Sequence, residues 1–433
     1  MTTPHTPPGS SHRDTHTTAL PQLPQSIPAG AAAITSELIY GNTKQSTNTP
    51  PLARSLYIHI PFCFHKCHYC DFYSIVDSRD RQGVFTDRLC RELEAIAPAA
   101  GPLDTIFVGG GTPTLLRTDL WQQLLATLHE RFDISRATEF TLECNPETAR
   151  ADLFDVLVAG SVNRLSIGAQ SFNPSHLKTL ERWHDPASVP AAIDLARRAG
   201  IDRVSLDLIY AIPGQTLSDW DEDLTAALAL GPSHLSAYNL TFEPNTAMTV
   251  RLGKGEFEPT DEDTEIAMFE LAASRTASAG LVRYEVSNYA RSGEECRHNL
   301  AYWRQSQWLA AGPSASGHYQ GHRWKNTPRL DTYLNTTSPA GHGPITDHEP
   351  PDATRALTER IMTGLRLAEG LDSAVILDAA CAIDIQTPAA LSRVVANHTN
   401  HGHLEPRADR WILTESGMLL ADGIAAELMA AVL

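Results

Sequence analysis

Six short β-like runs punctuate residues 55–240 of the chain: Ser55–Ile60, Asp104–Val108, Glu139–Glu143, Arg164–Gly168, Arg203–Ile209 and His234–Leu240. Between them, apolar residues recur at helical spacing, as in Leu120, Leu124, Leu125 and Leu128, or Ile193, Leu195 and Ala196. Strands alternating with helices predict βαβ units on a parallel sheet. Six units fall short of the eight of a closed barrel, so the expected fold class is α/β, a partial (β/α)6 barrel with a lateral gap.

The pattern changes on either side of that region. Residues 1–50 carry Thr, Pro, Ser and Ala with few large apolar side chains, which predicts a disordered tail. The barrel and its extension are expected over 51–334. Residues 335–351, rich in Pro, Gly, Thr and His, read as a linker. From 352 to 433 come three helical stretches, the run Arg410-Trp-Ile-Leu-Thr as a hairpin strand, and a last helix capped by Thr414. Helices followed by a hairpin predict a small, mainly helical, winged-helix-like C-terminal domain.

Composition narrows the partners. With 34 Lys and Arg against 51 Asp and Glu, the net charge is −17. That argues against nucleic acid and against direct docking on an anionic membrane. The C-terminal region lacks an Arg/Lys cluster, so DNA is not its expected ligand. No run approaches transmembrane length. Seven cysteines, three of them clustered, suit a reducing, cytoplasmic compartment more than a disulfide scaffold.

The clustered cysteines are Cys63, Cys67 and Cys70, a C-x3-C-x2-C loop directly after the first strand. Close thiolates suit an iron–sulfur cluster, and three of them leave one iron of a cubane open to a small molecule. Spacing alone also admits zinc with His65 or His68 as a fourth ligand. Further motifs follow the next strands: Gly109-Gly-Gly-Thr-Pro-Thr, Glu143-Cys-Asn-Pro-Glu, Gln170-Ser-Phe with Arg182 and His184 in the next helix, and Asp207-Leu-Ile-Tyr. In a barrel, chemistry gathers at these C-terminal strand ends. A second informative stretch is Cys296-Arg-His-Asn-Leu-Ala-Tyr-Trp. Imidazole and thiolate both ligate heme iron, so His298 or Cys296 could serve, and flat rings pack on a macrocycle, though His and Trp also serve plain packing.

C-x3-C-x2-C with Tyr69 before the last cysteine resembles the radical S-adenosylmethionine (SAM) signature. The longer string Tyr57-Ile-His-Ile-Pro-Phe-Cys…Tyr-Cys-Asp-Phe resembles the branch holding oxygen-independent coproporphyrinogen III oxidase and the HemW-type heme chaperones. The resemblance implies a 4Fe-4S cluster on Cys63, Cys67 and Cys70. It implies one SAM at Tyr57, Gly110 and Glu143, and a second at Tyr69, Gly111, Thr112, Gln170, Arg182 and Asp207. His298, Asn299, Tyr302 and Trp303 match the H-N-x-x-Y-W element of the heme chaperones, implying bound heme; Cys296 lies outside that element and reads as structural. No catalytic residue is assigned.

The chain departs from the branch at Ala169, Glu181 and Ala211-Ile212, where Val, Gly and Gly-Leu are usual. Phe72 stands where the oxidase has a fourth cysteine. With H-N-x-x-Y-W, it favours a chaperone that passes heme to an acceptor such as a respiratory-chain protein and meets a membrane only through that acceptor. The cluster would then govern homodimerisation or reductive release of heme. The alternative is an enzyme that decarboxylates coproporphyrinogen III to protoporphyrinogen IX.

Overall fold

The computed structural model describes Ile39 and residues 52–336 and 340–433. The tail expected over 1–50 otherwise lies outside the described residues; Ile39 itself is helical and buried in the main core.

Six parallel strands form the frame: β1 (Ala53–Ile60), β2 (Ala100–Gly110), β3 (Glu139–Cys144), β4 (Arg164–Gln170), β5 (Arg203–Tyr210) and β6 (His234–Asn239), paired in that order. Five helices connect them on the outside, Gln82–Ile96, Thr118–Arg131, Ala151–Ala159, Ser188–Ala199 and Leu217–Ala229. The run at 283–289 folds as an antiparallel hairpin, β7 (Val282–Glu285) and β8 (Asn288–Ala290), with β8 against β6.

The other edge adds to the expectation. β9 (Trp308–Ala311) returns beside β1 and pairs with it in parallel, giving a seventh parallel strand. β10 (Ser316–Tyr319), β11 (His322–Asn326) and β12 (Ile345–Glu349) continue as an antiparallel meander. β12 lies inside the stretch read as a linker. Its sequence, ITDHE, is mostly polar because it is an outer strand with one neighbour.

Side-chain parity organises the frame. Leu56, Ile58 and Ile60 on β1, Leu165 and Ile167 on β4, and Val204, Leu206 and Leu208 on β5 point into the apolar layer beneath the helices, with Trp121 and Trp220. Successive strand side chains face opposite ways. The alternate positions, Tyr57 and His59, Arg164 and Ser166, Asp207, and His234 and Ser236, line an internal cavity.

The C-terminal residues form a second apolar cluster around Leu357, Ile361, Leu391, Trp411, Ile424 and Leu428. Its elements run helix Ala353–Gly364, β13 (Leu371–Asp372), helices Ser373–Ile383 and Thr387–Asn400, hairpin β14 (Leu404–Arg407) and β15 (Arg410–Leu413), then helices Glu415–Leu419 and Ala421–Ala430. The Thr414 hydroxyl accepts from the Gly417 amide and caps the helix after the hairpin. Among the described residues, no helix is long and apolar enough to cross a membrane.

Candidate functional site

One cavity of about 1110 Å³ runs through the frame. Every residue assigned above to the cluster, to SAM or to heme lines it except Trp303, whose buried indole Nε1 has no hydrogen-bond partner; His68 and His184 lie outside the lining.

The cysteine loop closes the end formed by the C-terminal strand ends. Phe62 bridges Ile75; the Cys63 amide donates to Ile75 O at 2.9 Å and the Ile75 amide to Pro61 O at 2.7 Å. Across the loop, Lys66 Nζ donates to Ser74 Oγ at 3.2 Å. The loop is also stapled outward, His68 N to Leu180 O and Met248 N to His68 O. His68 Nδ1 lies 3.3 Å from Arg251 Nη1, and His65 stacks on Trp183 at 3.8 Å.

All seven cysteines are free. The Cys63 hydroxyl neighbour is Thr112, Oγ1 at 3.5 Å from Sγ, and Arg182 Nη1 approaches Cys67 Sγ at 3.8 Å. Burial raises the Cys63 thiol and pushes Cys70 up to about 11, with the neighbouring thiols adding and Lys66 opposing. Iron binding at this loop therefore displaces protons. Among the described residues, no three His, Cys, Asp or Glu side chains converge as ligands of a single ion. A zinc ion needs its donors about one centre, whereas a cubane takes each thiolate at a different iron. Three free thiols on one cavity-facing loop, one beside a guanidinium and one beside a hydroxyl, fit the cluster.

The glycine triplet is required by the chain itself. Gly110 has φ +116°, and a Cβ there would fall 2.7 Å from the His59 ring; at Gly109 it would fall 2.8 Å from the Glu143 carboxylate. The Gly110 amide donates to Glu143 Oε2 at 3.0 Å. Burial pushes Glu143 up to about 8, the Gly110 amide opposing and Asp207 adding. Sequence reasoning missed His59. Its Nε2 donates to Tyr73 O at 2.8 Å, which leaves Nδ1 to accept from Tyr57 OH at 3.0 Å and fixes the tautomer. The available signal was its parity with Tyr57 on β1.

Arg182 and His184 do not lie on the next helix as expected. The helix Pro174–Thr179 ends first, and Glu181, at φ +53°, turns the chain. That turn brings Arg182 Nη2 to Asn145 Oδ1 at 2.6 Å and Gly168 O at 3.1 Å. Asp207 accepts from Ser166, Ser205 and Ser236, the closest at 2.7 Å. Burial still raises its carboxyl above the usual range, against those hydroxyls and Arg164.

The H-N-x-x-Y-W element lies at the opposite end. Helix Arg297–Trp303 docks on the N-terminal strand ends: Glu139, first residue of β3, accepts from the Arg297 amide at 2.8 Å and the His298 amide at 3.1 Å. The Cys296 thiol donates to the same carboxylate at 3.3 Å. β4 spans seven residues between the two ends, about 20 Å at 3.3 Å per residue. His298 is 1% exposed and both ring nitrogens are engaged. Thr105 Oγ1 donates to Ser55, so it accepts from Nδ1–H at 2.8 Å, and Nε2 accepts from Tyr302 OH. Burial lowers the imidazole to about 4, with Glu139 opposing. Asn299 reaches Glu285 Oε1 at 3.4 Å.

The sequence profile of the Radical SAM superfamily matches residues 57–227. The heme chaperone HemW of Mycobacterium tuberculosis is 36% identical over 380 residues, covering 86% of this chain and 94% of that protein. The heme chaperone HemW of Escherichia coli is 35% identical over 386 residues, covering 87% and 97%. Among solved structures, the Escherichia coli coproporphyrinogen III oxidase HemN, a radical SAM enzyme, superposes with a TM-score of 0.75 at 23% identity, covering 88% of this chain and 90% of that one. That likeness establishes the fold.

Proposed function

This chain belongs to the HemW heme chaperones of the radical SAM superfamily, and from that premise we propose that it binds heme in the central cavity and delivers it to an acceptor protein. The observation carrying the reading is that the cysteine loop and the H-N-x-x-Y-W helix line one cavity from opposite ends. At about 1110 Å³ it exceeds the roughly 300–1,000 Å³ of ordinary ligand pockets, so it suits a large ligand together with a small one.

Cys63, Cys67 and Cys70 would hold a 4Fe-4S cluster, with SAM at Tyr57, Gly110 and Glu143 and room for a second at Tyr69, Gly111, Thr112, Gln170, Arg182 and Asp207. When bound, that pair supplies one-electron chemistry. The chain's own side chains prepare the site. Arg182 orients Cys67, its Nη1 approaching the sulfur. Glu143 holds a proton until a cationic group arrives, then accepts a hydrogen bond from it as carboxylate. Asp207 is a fixed acceptor, oriented by three serines. At the other end, Tyr302 and Asn299 offer heme a ring and an amide, and His298 becomes a ligand when Tyr302 releases its Nε2. The acceptor is a respiratory-chain protein, the compartment is the cytoplasm, and the chain works as a homodimer.

Phe72 speaks against the oxidase. It is 64% exposed at the cavity rim, and a phenyl ring neither ligates iron nor relays a proton. The deciding experiment reconstitutes the cluster anaerobically, adds SAM and a reductant, and offers coproporphyrinogen III or heme. Heme uptake and transfer to an apo-acceptor without decarboxylation is expected. Protoporphyrinogen with stoichiometric methionine and 5′-deoxyadenosine would overturn the reading.

A further inference from the structure

Arg164 opens β4 and lies in the cavity wall, 1% exposed, at the end where helix Arg297–Trp303 docks. Its hydrogen bonding is incomplete. Nη1 reaches Thr141 Oγ1 at a long 3.4 Å, and buried Nε has no hydrogen-bond partner. The nearby carboxylates are committed elsewhere. Glu139 takes two helix amides and the Cys296 thiol, and Asp207 takes three serine hydroxyls. Those carboxylates balance the guanidinium charge without filling its donor edge. A buried guanidinium left so is destabilising unless something completes its hydrogen bonds. Its planar fork matches a carboxylate, which accepts two parallel N–H bonds.

We infer that Arg164 is a carboxylate anchor on the cavity wall, pairing its incompletely bonded guanidinium with the carboxylate of a bound ligand. Two ligands of this site, on the reading above, carry that group: heme through its propionates and SAM through its amino-acid end. Position favours the propionate, because Arg164 sits at the heme-motif end, about 20 Å along β4 from the cysteine loop.

The test titrates the full chain with heme, heme dimethyl ester, SAM and decarboxylated SAM, in wild type and in Arg164→Gln and Arg164→Lys. Wild type is expected to prefer heme to its diester at least tenfold, and Arg164→Gln to bring that ratio near one. A SAM ratio that collapses instead assigns the anchor to the amino-acid carboxylate. Both ratios unchanged in a folded variant overturns the anchor. Should neither variant fold, the wild-type ¹H–¹⁵N correlation of Arg164 Nε decides. A shift with heme but not with the diester, or with SAM but not with its decarboxylated analogue, supports the anchor; a spectrum that fails to distinguish either pair overturns it. Wild type that takes up and transfers heme and diester alike, with equal SAM affinities, refutes the anchor and spares the chaperone reading. Wild type that binds no heme refutes that reading, and the SAM pair then decides the anchor.

Discussion

Tyr302 donates its phenol hydrogen to Nε2 of His298 at 2.9 Å, from one turn further along the same helix. The nitrogen an iron would take is therefore engaged by that hydrogen bond. Tyr302→Phe keeps the ring and removes that competitor, a hydrogen bond of about 1 kcal/mol. Heme titration should show affinity raised several-fold, with a modest loss of thermal stability. Unchanged affinity and spectrum would remove His298 Nε2 as the ligand.

The cysteine loop is shaped by backbone bonds and Lys66, not by its thiols. Changing Cys63, Cys67 and Cys70 together to Ala should abolish the cluster absorbance of anaerobically reconstituted protein. The ligand-free fold should change by less than about 1 kcal/mol in denaturant titration, as for partly exposed positions away from core packing. Iron and sulfide persisting in the triple variant would sink the assignment.

Glu143 keeps its proton to about pH 8 in the folded chain, against about 4.5 when exposed. The folded state thus binds the extra proton between those values. Stability relative to Glu143→Gln is highest below about pH 4.5, falls as pH rises through about 8, and then levels. Thermal midpoints of both proteins across this range test the sign. A cationic ligand reverses the trend: wild-type SAM affinity should rise toward pH 8, and Glu143→Gln should flatten it.

Glu181 and Ala211 stand where glycine is usual in the branch, and both take left-handed backbone, φ +53° and +60°. Non-glycine residues there cost about 1–2 kcal/mol, part of which glycine's greater unfolded freedom cancels. Ala211→Gly and Glu181→Gly should each stabilise the chain by about 0.5–1 kcal/mol in chemical denaturation. Destabilisation by either would mean that its side chain makes a larger contribution than the strain.

The six strand positions could be read from the sequence because short apolar runs recurred at βαβ spacing, and each observed strand contains most of its expected run. β9 escaped because four residues, Trp308–Ala311, carry no periodicity, and its partner β1 is some 250 residues earlier in the chain. β12 escaped because an outer strand need not be apolar. At the site, residue types and loop positions pointed to the cavity, but its two ends did not emerge. Which strand ends receive helix Arg297–Trp303 depends on the β7–β8 hairpin and the return through β9. Arg164 looked like the first residue of a strand; its unmet Nε exists only where Thr141, Glu139 and Asp207 meet in space.

The parity of the frame has a consequence for how this protein tolerates change. Leu165 and Ile167 hold the sheet to its helices, while Arg164, Ser166 and Gly168 between them face the cavity. Cohesion and chemistry are thus written on interleaved letters of the same strand. A substitution such as Ser166→Ala alters what the interior accepts while leaving the apolar layer intact. The lining can be re-specified residue by residue while the layer that joins sheet to helices stays as it is, and the cost of a new cargo falls on the polar partners within the cavity, as on Asp207 when Ser166 loses its hydroxyl.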